Sequence, residues 1–208
     1  MQARALAIVE KLKEIYPETD CSLEYKEPWQ LLFSARLAAQ CTDERVNQVA
    51  VPLYAKYPTL EAFANADLDE LEAIIRPTGF FRIKARDLKH AAIWLLSKFG
   101  GQVPHTMDEL LEIPGAGRKV ANLMLGDIYK QPAIVADTHC IRLSNRFGLC
   151  DSKDPKKVEF RLKKLIPPEE QNDFCHRLVW YGRAVCTARS PKCHDCELFA
   201  LCARVGVK

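Results

Sequence analysis

Apolar residues recur three and four positions apart along most of the chain, the spacing that places them on one face of an α-helix. The first such stripe comprises residues 6, 8, 9, 12 and 15 and ends before Pro17. Later stripes lie between Pro, Gly, Asp and Thr residues, which typically begin or end helices. Helices are therefore predicted over residues 5–16, 29–39, 43–56, 67–75, 83–99, 106–111, 117–129, 137–146, 155–166 and 169–185.

These elements leave no set of strands that could pair into a sheet. The apolar stretch 133–136 is too short to support one alone. The pattern therefore predicts an all-α fold. Pro132 interrupts the chain after the seventh helix, so we expect a boundary near residues 131–132, with the N-terminal helix able to pack on either half.

The composition is that of a globular protein, because 48% of the 208 residues are hydrophobic and 27% are charged. A net charge of +3 permits nucleic-acid binding without indicating it. No apolar run approaches the roughly 20 residues that cross a bilayer. The first residues also lack the apolar centre of a signal peptide. We therefore expect no membrane association and a cytoplasmic location.

Four of the nine cysteines crowd into the last quarter of the chain, which favours a metal site over a disulfide framework. Their spacing is Cys186-x6-Cys193-x2-Cys196-x5-Cys202. Compact four-cysteine zinc sites usually use two short Cys-x2-Cys pairs, and only one such pair is present. The wider outer spacing favours a 4Fe–4S cluster over zinc.

The loop between the first two of these cysteines carries two cations, Arg189 and Lys192. Anchored at both ends, it would present them outward, where a DNA phosphate is a natural partner. A solvated basic loop is the alternative interpretation.

The stretch 111–119, Leu-Glu-Ile-Pro-Gly-Ala-Gly-Arg-Lys, predicts a tight hairpin that leads into a helix. Arg118 and Lys119 would lie in the first turn of that helix, the positive end of its dipole, where cations are unfavourable. The arrangement makes sense if the site holds an anion or if one amine must lose its proton easily. Both needs arise in an enzyme that attacks DNA through a lysine.

The hairpin, the segment Asp137-Thr138-His139 and the terminal cysteines occur together in this order and spacing. In this combination the chain resembles the endonuclease III family, bacterial DNA glycosylase/AP lyases of the helix-hairpin-helix superfamily, over essentially its whole length. The resemblance implies a helical barrel domain over 22–131 that carries the hairpin. It also implies an iron–sulfur domain formed by 1–21 and 132–208, with duplex DNA bound in the cleft between the two domains.

The resemblance also implies chemistry. Lys119 matches the family's nucleophile, which forms a Schiff base with the sugar and cuts the strand by β-elimination. Asp137 matches the catalytic carboxylate, although an Asp before a helix is also an ideal N-cap. The implied activity is removal of oxidised pyrimidines from damaged or abasic duplex DNA by a monomeric bifunctional N-glycosylase/AP lyase with one 4Fe–4S cluster.

Several further residues match positions that contact DNA in the family. Gly115 and Gly117 would bring backbone amides to a phosphate beside Arg118. Gln40 and Phe80 would fill the gap left by an extruded nucleotide, although Phe80 could equally be a buried core residue. His139 is expected to face DNA or support the carboxylate.

A few positions depart from the family pattern, notably Arg36, Ala38 and Ile83. A lone buried Arg is costly, so Arg36 should be either paired or directed at the cleft. The other five cysteines are expected to be small core residues rather than ligands; they are Cys21, Cys41, Cys140, Cys150 and Cys175.

Other functions remain open at this point. Mismatch-specific monofunctional glycosylases of the superfamily, for adenine or thymine, normally lack the lysine at the position of Lys119. A non-catalytic DNA-binding or redox-sensing module could use the same hairpin and cluster.

Overall fold

The computed structural model describes residues 1–207, and this range contains α-helices and no β-strand. The all-α prediction is confirmed. None of these helices is long and apolar enough to cross a membrane. In chain order the described helices are α1 (Gln2–Ile15), α2 (Pro28–Leu37), α3 (Asp43–Lys56), α4 (Leu60–Ala64), α5 (Leu68–Ile75), α6 (Phe81–Phe99), α7 (Met107–Glu112), α8 (Arg118–Leu123), α9 (Thr138–Arg146), α10 (Pro155–Leu165) and α11 (Gln171–Ala184).

The helices belong to two compact units. Cys21–Tyr129 form the central unit, which contains α2 to α8. Met1–Asp20 and the described chain from Lys130 onward form the terminal unit, which contains α1 and α9 to α11.

Side-chain caps explain where many of these helices begin. In each case an Asp or Thr oxygen accepts a hydrogen bond from a backbone N–H of the first turn, which would otherwise lack a partner. The capping residues are Thr42, Thr59, Asp67, Thr106, Asp137 and Asp154.

The core of the central unit is built around an aromatic cluster. Trp29 and Phe33 on α2 pack edge-to-face on Phe63 of α4, with ring centroids 5.6 and 5.0 Å apart. Helix α4 in turn packs along α6. The long helix α6 therefore forms one wall of this unit and fixes the loops at both of its ends.

The terminal unit includes the N-terminal helix. Helix α1 packs against α10 and α11 and buries Ala5, Ile8, Val9 and Leu12. Arg177 of α11, which is 2% exposed, donates to the backbone oxygen of Tyr16 at 3.1 Å and to Glu170 at 3.0 Å. This buried guanidinium ties the end of α1 to the terminal part of the chain.

Two features of the fold differ from the sequence-based prediction. Helix α4 was not predicted, because five residues are too few to display a 3.6-residue period. The helix after the hairpin changes from α to π geometry at Met124–Ile128, where the N–H of Tyr129 bonds to the oxygen of Met124. Gly126 within this turn lowers its α-helix propensity.

Candidate active site and metal centre

The hairpin forms where the sequence predicts it. Helix α7 ends at Glu112, and the N–H of Ala116 closes a turn onto the oxygen of Ile113 at 3.0 Å. Gly115 has φ of +80°, a conformation that favours glycine. Gly117 is extended and precedes α8. Both glycines are exposed, so their backbone can be approached from solvent.

An ion pair lies directly against the hairpin. Arg36 of α2 contacts Asp87 of α6, with Nη2 and Nε 2.6 and 2.7 Å from Oδ2. A Cβ added to Gly115 would lie 2.8 Å from the Asp87 Cβ and 2.9 Å from the Arg36 Nε. Arg36 is therefore paired, and the pair fills the space under the turn.

Arg118 and Lys119 form the first turn of α8, as predicted. That turn contains no acidic residue, so two cations meet the positive end of the helix. The Lys119 side chain is exposed and Arg118 is half-buried. The positive charge of this turn suits an anion.

Asp137 lies at the start of α9 in the terminal unit. Its Oδ1 accepts a hydrogen bond from the N–H of Cys140 at 2.6 Å, so it is the N-cap of the helix. The residue is half-buried rather than enclosed. One carboxylate oxygen thus fixes the side chain at the helix start.

His139 belongs to a hydrogen-bonded chain within the terminal unit. Its Nδ1 lies 3.1 Å from Nη2 of Arg142, and Arg142 donates onward to the backbone oxygen of Cys186 at 3.0 Å. Because a guanidinium only donates, Nδ1 of His139 is the acceptor. His139 therefore connects the start of α9 to the first cysteine of the cluster segment.

Gln40 and Phe80 share an unusual backbone conformation. Both have left-handed φ angles, +54° and +49°, which are uncommon outside glycine. Phe80 is 65% exposed and directly precedes α6, so it is not a core residue. Gln40 is likewise exposed. Both side chains project from short loops of the central unit.

Three of the four clustered cysteines have hydrogen-bond partners at their sulfur atoms. Arg146, which is buried, donates to Sγ of Cys186 at 3.2 Å, and the N–H of Arg204 donates to Sγ of Cys202 at 3.3 Å. The Tyr181 hydroxyl lies 3.0 Å from Sγ of Cys196. Hydrogen bonds of this kind hold and tune the sulfurs of iron–sulfur clusters. Within residues 1–207 no three His, Cys, Asp or Glu side chains converge as for a single metal ion.

Arg146 also shapes the loop that carries Arg189 and Lys192. It donates to the backbone oxygens of Thr187 and Ala188 at 2.7 and 2.9 Å. These bonds anchor the start of the loop, and both cations beyond it are exposed.

The other five cysteines lie away from this segment in the sequence. Burial, with nearby Asp127, raises the pKa of the Cys21 thiol to about 12. A hydrogen bond with Cys175 and burial raise the pKa of the Cys140 thiol. The Cys21 and Cys140 thiols are therefore protonated at neutral pH. Cys41 and Cys150 are half-buried.

Sequence reasoning did not identify three cations that support these sites. Arg142, Arg146 and Lys84 lie on helices. Each donates to backbone oxygens that are distant in the sequence. No sequence signal identifies them, because their acceptors are backbone atoms.

Two protein families match the chain. Residues 33–168 match the HhH-GPD superfamily of base excision DNA repair proteins. Residues 186–202 match the iron–sulfur binding domain of endonuclease III, a segment that runs from Cys186 to Cys202. The predicted 4Fe–4S cofactor is thereby confirmed.

Individual relatives agree with the family matches. The endonuclease III of Synechocystis is 45% identical over 96% of this chain and 91% of its own length. The endonuclease III of Bacillus subtilis is 38% identical over 96% of this chain and 91% of its own length. The structure of a trapped covalent intermediate between an endonuclease III and DNA is 38% identical, covers 98% of this chain and 96% of that one, and gives a TM-score of 0.93. The chain belongs to the endonuclease III family of helix-hairpin-helix base excision DNA repair proteins.

Proposed function

We propose that the chain removes oxidised pyrimidines from duplex DNA and then cuts the strand at the abasic site through a Schiff base on Lys119. Base excision repair by a bifunctional DNA N-glycosylase and AP lyase is the activity of its family. The observation that carries the assignment to Lys119 is an exposed amine in the first turn of α8, directly after the glycine hairpin.

Lys119 acts as the nucleophile in its neutral form. Its nitrogen lone pair forms a bond to C1′ while the bond from C1′ to the base breaks, and the base leaves with that electron pair and takes up a proton. Opening of the sugar ring gives a Schiff base. Loss of a proton from C2′ then expels the 3′ phosphate.

Asp137 stabilises the positive charge that develops on the sugar as the base leaves. Its N-cap bond to the Cys140 N–H uses one carboxylate oxygen and fixes the side chain for this role. The cap and the catalytic role are therefore compatible.

The exposed backbone of the hairpin binds the DNA phosphates. The amides of Gly115 and Gly117 can approach a phosphate closely because neither residue has a Cβ. Arg118 adds a positive charge beside them. Arg189 and Lys192, exposed on the loop after Cys186, contact phosphates at a second point.

Extrusion of the damaged nucleotide leaves a gap in the base stack. Gln40 fills the gap, and Phe80 enters the opposite strand as an apolar wedge. Their exposure at the tips of two loops of the central unit supports these roles. His139, in its chain to Arg142 and Cys186, supports the start of α9 near the DNA.

The 4Fe–4S cluster is held by Cys186, Cys193, Cys196 and Cys202. It orders the loop with Arg189 and Lys192, and the base-removal chemistry needs no electron from it. Residues 22–131 carry the hairpin, and residues 1–21 with 132–208 carry the cluster. The chain acts as a monomer in the cytoplasm, where a reducing environment suits cysteine ligands.

Borohydride trapping tests this proposal. A duplex with one oxidised pyrimidine is incubated with iron-replete protein and borohydride, which reduces a Schiff base to a stable adduct. We expect a covalent adduct with the wild type and none with Lys119→Ala. Absence of an adduct from folded wild-type protein would refute the lysine mechanism.

A panel of mismatched duplexes in the same assay addresses the alternative functions. Base release from mismatches without strand cutting would indicate a monofunctional mismatch glycosylase. DNA binding with neither reaction would indicate a non-catalytic module. Iron and sulfide contents of about four each per chain are expected for the cluster.

A further inference from the structure

Lys84 is the most deeply buried cation of the central unit that the proposed mechanism does not use. It lies on α6, its exposed fraction is 0%, and its Nζ donates to the backbone oxygens of Leu37 and Thr78, both at 2.8 Å. Both acceptors are uncharged carbonyls. Burial lowers the pKa of Lys84, so the site is costly for a charged amine. Because burial of this amine is unfavourable, we looked for a function that its two hydrogen bonds could serve.

The two acceptors belong to the two loops that carry Gln40 and Phe80, which are called the wedge residues below. Leu37 is the last residue of α2, three residues before Gln40. Thr78 ends a short 3₁₀ turn, Arg76–Thr78, two residues before Phe80. The Lys84 amine therefore joins two segments that are about 40 residues apart in the sequence, at backbone oxygens within three residues of Gln40 and Phe80.

Both wedge residues need such support. Gln40 and Phe80 adopt left-handed conformations, which are unfavourable in a residue other than glycine and persist only where the surroundings hold them. The hydrogen bonds within each loop are short-range, such as that from the Thr78 hydroxyl to the oxygen of Ile75 at 2.8 Å. The N–H of Cys41 bonds to Ala38 at 3.1 Å, and that of Gly79 bonds to Arg76 at 3.2 Å.

We propose that Lys84 is a positioning residue that joins the Gln40 and Phe80 loops, so that both side chains enter the duplex at a fixed separation. This inference rests on the proposed function, in which Gln40 and Phe80 occupy the gap left by the extruded nucleotide. A lysine suits the task because its ammonium group has three donors on a flexible stem and can serve two carbonyls at once.

The test compares one reaction on two substrates. A preformed abasic site is offered in a duplex and in the single strand of the same sequence, and the rate of strand cutting is measured for each. A single strand has no opposite strand and no gap to fill, so the wedges matter only in the duplex. The rate of strand cutting in the duplex divided by that in the single strand therefore reports on Gln40 and Phe80, because the reaction at Lys119 is common to both substrates.

The variant is Lys84→Met, and the matched control is Lys89→Met. Lys89 also lies on α6 and donates to one backbone oxygen, that of Ala66 at 2.7 Å, away from the wedge loops. For Lys84→Met we expect the duplex-to-single-strand ratio to fall about tenfold to a hundredfold. Lys89→Met should keep the wild-type ratio.

An unchanged ratio in Lys84→Met, or an equal fall in both variants, would overturn the proposal and leave Lys84 a purely structural residue. If Lys84→Met does not fold, Lys84→Gln, which keeps an uncharged donor, is judged by the same ratio. Hydrogen exchange should also rise at residues 38–42 and 78–82 in the Lys84 variant alone. If the wild type cuts neither substrate, the proposed function fails, and this exchange comparison still decides whether Lys84 holds the loops.

Discussion

The two glycines of the hairpin, although two residues apart, have different reasons to be glycine. Gly115 has a left-handed φ and lies against the Arg36–Asp87 pair, so a Cβ has no room there. Gly117 has φ of −102°, and nothing lies within 4 Å of an added Cβ. Space around the residue therefore does not require glycine at position 117, which makes the pair a test of the proposed phosphate contact.

Gly117→Ala should change the free energy of unfolding by less than about 1 kcal/mol, because alanine restricts the unfolded chain but is a poorer N-cap of α8 than glycine. It should nevertheless weaken DNA binding, because the methyl group holds a phosphate away from the backbone. Gly115→Ala should lower the free energy of unfolding by about 1–3 kcal/mol. Urea unfolding and duplex-binding titrations measure both quantities. If Gly117→Ala binds DNA with the wild-type affinity, the proposed contact between a phosphate and the backbone at Gly117 is wrong.

Asp137 combines a structural and a proposed catalytic role, and the two can be separated. Asn caps helices about as well as Asp but carries no charge. Asp137→Asn should therefore unfold within about 0.5 kcal/mol of the wild type, whereas Asp137→Ala should lose about 1 kcal/mol. Base release should fall about a hundredfold or more in both variants. If Asp137→Asn releases the base at nearly the wild-type rate, Asp137 has no catalytic role and serves only as the N-cap of α9.

At the scale of elements, the sequence predicted what depends on local patterns. Ten of the helices were predicted because their apolar stripes and caps, such as Thr106 and Asp137, lie within the helix or beside it. Two elements were not predicted: the five-residue α4 and the π turn at Met124–Ile128. A helix this short does not display a period, and a π turn has no sequence signature.

Site features that depend on adjacent residues could likewise be predicted from the sequence, and those that depend on distant residues could not. The hairpin and its first-turn cations could be predicted because Pro, Gly and the charges are adjacent in the sequence. The partner of Arg36 could not, because Asp87 lies 51 positions away on another helix. Arg142, Arg146 and Lys84 were missed for the same reason, since backbone oxygens distant in the sequence are their acceptors.

The Arg36–Asp87 pair links α2 to α6 beneath the hairpin, and its two side chains are 20% and 22% exposed. Removing one partner leaves the other charge uncompensated, so Arg36→Met or Asp87→Leu alone should lower the free energy of unfolding by about 1–3 kcal/mol. The double variant should lose less than the sum, because no unpaired charge remains. A double-mutant cycle by urea unfolding measures the coupling. Strict additivity would mean that the pair does not support the hairpin region.

At the scale of the whole molecule, the central unit and the cysteine segment of the terminal unit differ in the size of their apolar cores. The central unit has an aromatic cluster and a long helix to pack around. The last described segment, 186–207, has a single 3₁₀ turn, Cys193–Asp195, and its buried side chains are Cys186 and Leu198. So small an apolar core cannot hold a segment of this length. The cluster must provide the missing stability.

Removal of the cluster should therefore affect the units differently. In Cys196→Ala, or after iron chelation, we expect hydrogen exchange to rise over residues 186–207 and in α9 and α11, whose Arg146 and Tyr181 contact the cysteine sulfurs. Amides of α3 and α6 should stay protected, because their packing lies within the central unit. Cys150→Ala, which keeps all four proposed ligands, is the control. An equal rise in exchange in both units would show instead that the central unit also depends on the cluster for its stability.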